Sequence, residues 1–257
     1  CLGQRKQPKI LIYTNMKLLN RQNIPSTSTR PISILQFGTG NFLRGFADWM
    51  IDILNEKTSF NGDIKMVQVH SKKQAHGINS QEGLYHVLTK GVSKGQTIEE
   101  SRLIQSVRGA INPFLDYRAY LELAKIPELR FVISNTTEAG IYFDEKDKDW
   151  ATTPASFPGK LTALLYQRFQ HFNGDSEKGL VIIPCELIED NGKKLKENIK
   201  RYIDLWDLSG DFEDWVVKHN FFCNTLVDRI VPGFPLGSGN EIQAQLGFKD
   251  EQMVMTE

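Results

Sequence analysis

The sequence predicts an α/β fold, doubly wound about a mostly parallel sheet. Three features point there. Short runs rich in β-branched residues alternate with longer stretches whose apolar positions recur at helical spacing. Such an alternation builds parallel strands joined by helical crossovers, with both faces of the sheet covered. The first run, ISILQF, also ends in Gly38-Thr39-Gly40 and passes straight into a helical pattern, the layout of a nucleotide-binding turn.

In chain order, strands are expected over residues 32–37, 64–70, 84–90, 102–107, 130–134 and 179–183. The first helix between them aligns Phe42, Phe46, Trp49, Met50 and Ile53 on one face. A later helix aligns Leu161, Leu164, Leu165, Phe169 and Phe172, with Pro158 near its start. A third aligns Leu195, Ile199, Tyr202, Ile203 and Trp206, and Asn191 is placed to cap it. The run DEKDKDW after Phe143 reads as a solvated loop. No internal repeat or low-complexity tract is present. Residues 1–15 are expected to be an upstream extension, because Met16 opens a polar segment that leads into the first strand.

Composition narrows the function. Of the 257 residues, 40% are hydrophobic and 24% charged, enough to pack a core. Lys+Arg and Asp+Glu both number 31, and a neutral chain lacks the basic surface that a nucleic-acid partner requires. No apolar run approaches the roughly 20 residues that span a bilayer, so no membrane partner is expected. Cys1, Cys185 and Cys223 are too few for a disulfide framework and fit a reducing cytoplasm. Cys185 and Cys223 read as packed core thiols. No metal site is expected, since no cysteine is paired with a histidine as a zinc centre requires.

The glycine turn decides more. In a dinucleotide loop the first glycine permits the tight turn and the second lets backbone approach a pyrophosphate, while the helix start supplies N–H groups. Gly38 and Gly40 stand in those places. The usual third glycine would be at position 43, where Leu43 sits, and the next glycine is Gly45. An acid at the end of the second strand would hold the adenosine ribose of NAD. Here that strand runs into HSKKQ, where Lys72 and Lys73 are either solvated loop residues or attractors of a 2′-phosphate. From these residues alone NAD and NADP both stay open.

Three further stretches follow in order: RFVISNTTEAGI from Arg130, IIPCELIEDNG from Ile182, and FCNTLVDRIVPGFP from Phe222. With GTGNFLRGF they resemble the mannitol dehydrogenase family of polyol-specific long-chain dehydrogenases, from about Met16 to the last residue. In that family the loop reads G-x-G-x-F-x-R followed by Gly or Ala, which accommodates Gly38, Gly40, Phe42, Arg44 and Gly45. Mannitol-type members have C-D-N where this chain has Cys185-Glu186-Leu187, so the likeness is to the hexuronate branch.

The resemblance implies a Rossmann-type, NAD(P)-binding domain over residues 16–257, incomplete at its C-terminal end, with the family's C-terminal helical domain absent. It implies reversible hydride transfer between D-tagaturonate and D-altronate with NAD, with NADP kept as an alternative, in cytoplasmic hexuronate catabolism. Mannitol or fructuronate dehydrogenation is the alternative chemistry. The small-molecule partner would be a sugar acid. Ile34, Leu35, Gln36 and Phe37 would lead into the cofactor loop, Gly38, Thr39 and Gly40 form it, and Asn41, Phe42, Leu43, Arg44 and Gly45 open the helix behind it. Thr136, Thr137 and Glu138 would border the nicotinamide ribose. Asn191, Asp228 and Arg229 would face the substrate, or else serve as a helix cap and an ion pair. The family's acid/base is a lysine in a K-x-x-x-x-N-x-x-H arrangement. Lys193 and Asn198 match its first half, but Arg201 occupies the histidine position. The catalytic lysine is therefore expected beyond Glu257.

Rival enzyme classes fit less well. The Tyr-x-x-x-Lys of short-chain dehydrogenases occurs at Tyr13/Lys17 and Tyr142/Lys146, the first ahead of the nucleotide strand and the second in the acidic loop. A phosphate-binding P-loop needs Gly-Lys-[Ser/Thr], whereas Gly45 is followed by Phe46-Ala47. A non-enzyme reading remains: a nucleotide-binding module without activity of its own.

Overall fold

The computed structural model describes residues 16–24, 29–70 and 75–257. The expectations on residues 1–15, including Tyr13, and on Lys72 and Lys73 lie outside them. In chain order the elements are β1 (Ile32–Phe37), α1 (Asn41–Gly45), α2 (Ala47–Lys57), β2 (Asp63–Val67), α3 (His76–Ser80), β3 (Tyr85–Ser93), β4 (Gln96–Ile104) and β5 (Val107–Ile111). They continue with α4 (Tyr117–Glu122), β6 (Phe131–Ser134), α5 (Phe157–His171), β7 (Val181–Pro184), α6 (Asn191–Leu205), α7 (Gly210–His219), β8 (Phe221–Phe222), α8 (Gly239–Leu246) and β9 (Val254–Thr256).

Six strands form one sheet in the order β5-β2-β1-β6-β7-β8, and every pairing in it is parallel. Counted along the sheet's own strands this is the Rossmann order 3-2-1-4-5-6. β1 is central, with Ile34, Leu35 and Phe37 fully buried. On one face Leu35, Phe37 and Val132 pack against Leu161, Leu164 and Leu165 of α5, Leu195 and Ile199 of α6, and Phe212 and Trp215 of α7. The expected α5 and α6 faces are thus the buried ones. Ser156 starts α5 by accepting from Gly159 N, with Pro158 in the first turn.

The other face holds the main departure from expectation. The runs expected at 84–90 and 102–107 are not strands of the parallel sheet. β3 and β4 form an antiparallel hairpin, with Tyr85 opposite Ile104, and β9 adds in parallel to β3. Lys94 and Gly95 close the hairpin with φ of 53° and 76°, the paired left-handed conformation whose twist suits a two-residue turn. Val107, expected to end a strand, begins β5 instead.

The first helix also differs. It breaks at Phe46, and the buried side chains are Leu43, Arg44, Ala47, Asp48 and Asp52, whereas Met50 of the expected face is 40% exposed. The cause is polar: Tyr85 of the hairpin donates to Asp48, and Arg102 donates to Asp52. Hydrogen bonds to the hairpin turn the helix's carboxylates inward. Among the described residues no separate helical domain forms, and no helix is long and apolar enough to cross a membrane.

Candidate functional site

β1 and β6 are neighbours whose connections run in opposite directions, so a crevice opens beyond their carboxyl ends. Gly38 enters it with φ +118°, and its N–H donates to the Val67 carbonyl at 3.0 Å. A Cβ there would lie 2.6 Å from the Asn135 carbonyl oxygen, so only glycine lets the two loops touch. Gly40 is different. Its φ is −70°, and a Cβ would meet nothing within 4 Å. It borders open space at the start of α1, where no side chain caps the helix.

The facing wall is the loop after β6. Asn135 N donates to the Phe37 carbonyl at 3.0 Å, and Asn135 Nδ2 donates to the Cys185 carbonyl at 2.6 Å. The loop is therefore tied to β1 and to β7 at once. Thr136 N and Oγ1 both donate to Glu186 Oε1, at 3.0 and 2.9 Å, while Ser134 Oγ donates to Glu186 Oε2 at 3.0 Å. Burial pushes the Glu186 carboxyl up, and those donors pull it back. Thr137 has φ +89°, a rare conformation for a β-branched residue and one that is costly to hold. His70 Nε2 lies 3.0 Å from the Thr136 carbonyl oxygen.

Two hollows of about 260 and 240 Å³ share Asn135 and Thr137 as lining. The smaller lies over the glycine turn, between Gly38, Thr39 and Gly40 and the strand end Gln68, Val69 and His70. The larger is walled by Phe42, Glu138, Cys185, Leu187, Asp228 and Arg229. The fold thus brings together residues nearly two hundred positions apart. Two adjoining hollows that share a wall leave room for an elongated ligand. The open side of Gly40 is where a pyrophosphate approaches backbone in such folds.

Several expected site residues lie elsewhere. Ile34, Leu35, Phe37 and Leu43 are core. The Gln36 amide donates inward to the Gly38 carbonyl at 3.1 Å. Arg44 turns away from the crevice: it donates to the Gln252 carbonyl and to Asn41 Oδ1, both at 2.5 Å. Thr136 borders the smaller hollow but is buried, and its N–H and hydroxyl are both taken by Glu186. Gly45 does not line the crevice, because its bare Cα faces Thr256, Val231 and Val254.

Asn191 does not face the substrate side; it is the first residue of α6, and its Oδ1 takes a first-turn N–H of that helix. Its side chain has no exposed surface, donates to the Pro184 and Glu186 carbonyls, and accepts from Gly192 N and Thr225 N. Asp190, at φ +53°, is the N-cap. Asp228 and Arg229 do border the larger hollow, but not as an ion pair: Arg229 donates to the Gly45 carbonyl at 2.7 Å and to Thr256 Oγ1 at 3.0 Å. Burial pushes the Arg229 guanidinium down from its ordinary value. Cys185 packs in the core as expected, and burial raises its thiol to about 12. Cys223 is only partly buried.

The sequence places the segment that opens with Asn135 at the cofactor edge of the sheet without giving Asn135 a role, and it gives none to Glu186, Gln68 or His70. The first two sit inside motifs already singled out, and the last two occupy the strand end where an acid was sought.

Comparison with known proteins gives a consistent result. Residues 32–257 match the family model described as the mannitol dehydrogenase Rossmann domain. Altronate oxidoreductase of Bacillus subtilis (strain 168) is 50% identical over 242 residues, which are 94% of this chain and 50% of that protein. The altronate oxidoreductase of Bacteroides thetaiotaomicron is 47% identical over the same shares. The chain spans about half the length of the curated relatives it matches. Among solved structures, Pseudomonas fluorescens mannitol 2-dehydrogenase in a ternary complex with NAD and D-mannitol superposes with a TM-score of 0.79 at 22% identity, over 94% of this chain and 53% of that one. A D-sorbitol dehydrogenase in substrate-free form gives 0.73 at 21% identity, over 89% of this chain and 49% of that one.

Proposed function

Because the chain belongs to the mannitol dehydrogenase family, we propose that it carries the NAD-binding part of an oxidoreductase interconverting D-tagaturonate and D-altronate. The observation that carries this reading is the pair of hollows meeting at Asn135 and Thr137, with the bare Gly40 on one wall. When bound, the cofactor would supply the redox chemistry: NADH gives hydride to the ketone, and NAD takes it back from the alcohol. The chain's own residues position. Gly38, Thr39 and Gly40 receive the pyrophosphate, and Thr136, Thr137 and Glu138 border the nicotinamide ribose. Asp228 and Arg229 mark the end where a sugar acid enters. Gln68, Val69 and His70 offer the adenosine ribose no acid, so NADP stays as the second cofactor.

Reducing a ketone needs a proton at oxygen as hydride reaches carbon. Among the described residues lining the two hollows there is no lysine. The reading therefore expects these 257 residues to bind the dinucleotide without turning it over alone, in a cytoplasmic, sugar-acid-degrading setting. Titration with NADH followed by protein fluorescence, then addition of tagaturonate while absorbance is followed, tests both halves. Saturable binding with no loss of NADH is expected. No binding sinks the cofactor assignment, and steady oxidation sinks the expectation that the proton donor lies elsewhere.

A further inference from the structure

Ser134, Thr136 and Glu186 are buried together where the loop after β6 meets the loop after β7. Their polar atoms close on one carboxylate. Glu186 Oε1 accepts from Thr136 N at 3.0 Å and from Thr136 Oγ1 at 2.9 Å, while Oε2 accepts from Ser134 Oγ at 3.0 Å. The backbone that carries this side chain is fixed in turn: the Glu186 carbonyl accepts from Asn191 Nδ2 at 3.0 Å and from Ile188 N at 2.8 Å. Gly140 leaves the room that the arrangement needs. A Cβ there would lie 1.9 Å from Thr136 Oγ1 and 2.6 Å from the Thr136 carbonyl oxygen.

The residue after Thr136 is the strained one. Thr137 is exposed and holds φ +89°, where a β-branched residue stays only if its surroundings over-determine it. Here Glu186 pins Thr136 on one side, and on the other Gly140 N donates to the Thr137 carbonyl at 3.0 Å. Thr137 lines both hollows, so the strained residue is part of the wall they share. Glu186 lines neither hollow and reaches them only through Thr136 and Thr137.

We propose that Glu186 is a positioning residue for the dinucleotide: its side chain holds Thr136 so that Thr137 keeps the conformation that shapes the shared wall. The ligand in this inference rests on the dinucleotide-binding reading above; the clamp does not. What the clamp requires is an acceptor at the Oε1 position, because a backbone N–H can only donate. Without that acceptor a buried N–H is left unpaired, and Thr137 is free to relax. NADH affinity then falls with the fraction of chains whose wall is in place.

The test compares the unaltered chain with Glu186→Ala, Glu186→Gln and Gly140→Ala. Glutamine keeps an acceptor for Thr136, and the Ser134 hydroxyl can turn to accept from its amide. The alanine at position 140 pushes on Thr136 from the opposite side and lines neither hollow. NADH titration is run well below each variant's melting temperature, and exchange of the Thr136 amide hydrogen is followed by NMR. Glu186→Ala and Gly140→Ala should each weaken NADH binding roughly tenfold or more, and Glu186→Gln by less than about threefold. The Thr136 amide should lose protection in Glu186→Ala and keep it in Glu186→Gln. If Glu186→Ala melts earlier yet binds NADH as before, the carboxylate is merely structural and the proposal falls. It falls too if Glu186→Gln binds as weakly as Glu186→Ala, since charge rather than an acceptor would then be what matters. Should Glu186→Ala fail to fold, Glu186→Gln and Gly140→Ala still decide: retention in the first with loss in the second supports the clamp, and any other pairing overturns it. An unaltered chain that binds no NADH removes the dinucleotide reading, while Thr136 exchange still decides the clamp.

Discussion

Gly38 and Gly40 stand two positions apart and meet opposite constraints. Gly38 combines φ +118° with a Cβ position 2.6 Å from the Asn135 oxygen, so Gly38→Ala should cost about 2 kcal/mol or more. Gly40 has an ordinary φ and open space, so Gly40→Ala should leave stability within about 0.5 kcal/mol. Its methyl group would nonetheless occupy the side from which a pyrophosphate approaches, and NADH affinity should fall by roughly tenfold, as for loss of about 1.4 kcal/mol. Thermal melting and NADH titration of the two variants decide it; equal destabilisation would refute the distinction. The sequence indicated that both glycines mattered. Which one is steric and which one faces the ligand depends on where Asn135 sits, and no local spacing reports that. Thr136 carries the same lesson: its hydroxyl looks like a site group, but it is consumed by Glu186 fifty residues on.

At the scale of elements, Gly45 answers the question raised by Leu43 at the usual glycine position. The third glycine of a dinucleotide loop ordinarily lets its helix approach the sheet. Here Leu43 is core, and the close approach is made instead between α1 and the segments that carry Val231 and β9. A Cβ on Gly45 would stand 2.7 Å from Thr256, 3.1 Å from Val231 and 3.2 Å from Val254. Gly45→Val should therefore cost about 1–3 kcal/mol by overpacking. Urea unfolding would show a lower midpoint, and an unchanged midpoint would mean that α1 and β9 do not meet as described. Helix faces were legible where burial is apolar, as in α5 and α6. The face of α2 was not, because it buries Asp48 and Asp52 against Tyr85 and Arg102, and hydrophobic periodicity is blind to a buried polar face.

Across the whole molecule, opposite charges balance at 31 each and the isoelectric point is near 7.1. Weak net repulsion near neutral pH favours association of any exposed apolar surface. Leu226 and Leu236, at 94% and 91% exposure, are the most exposed large apolar side chains among the described residues. Replacing both by Ser should leave the melting temperature unchanged, since exposed side chains contribute within about 0.5 kcal/mol each. Light scattering across pH 6 to 8 should show reduced self-association. A large fall in melting temperature would mean that these side chains are packed.

By itself the sequence determined the alternation of strands and helices, the glycine turn after β1, and the motifs that fall around the crevice. Each of these is written within a few neighbouring positions, at the spacings of a strand or a helix. Only the tertiary structure decided which side chains face the crevice. Arg44 is drawn away by the Gln252 carbonyl 208 positions later, and Arg229 is anchored on the Gly45 carbonyl 184 positions earlier. The hairpin that replaces two expected parallel strands was marked locally only by Lys94-Gly95. Its place over α2 follows from hydrogen bonds to carboxylates on another element. Buried polar groups must find partners wherever the chain brings them, and that pairing is a property of the folded whole, not of any window along the sequence.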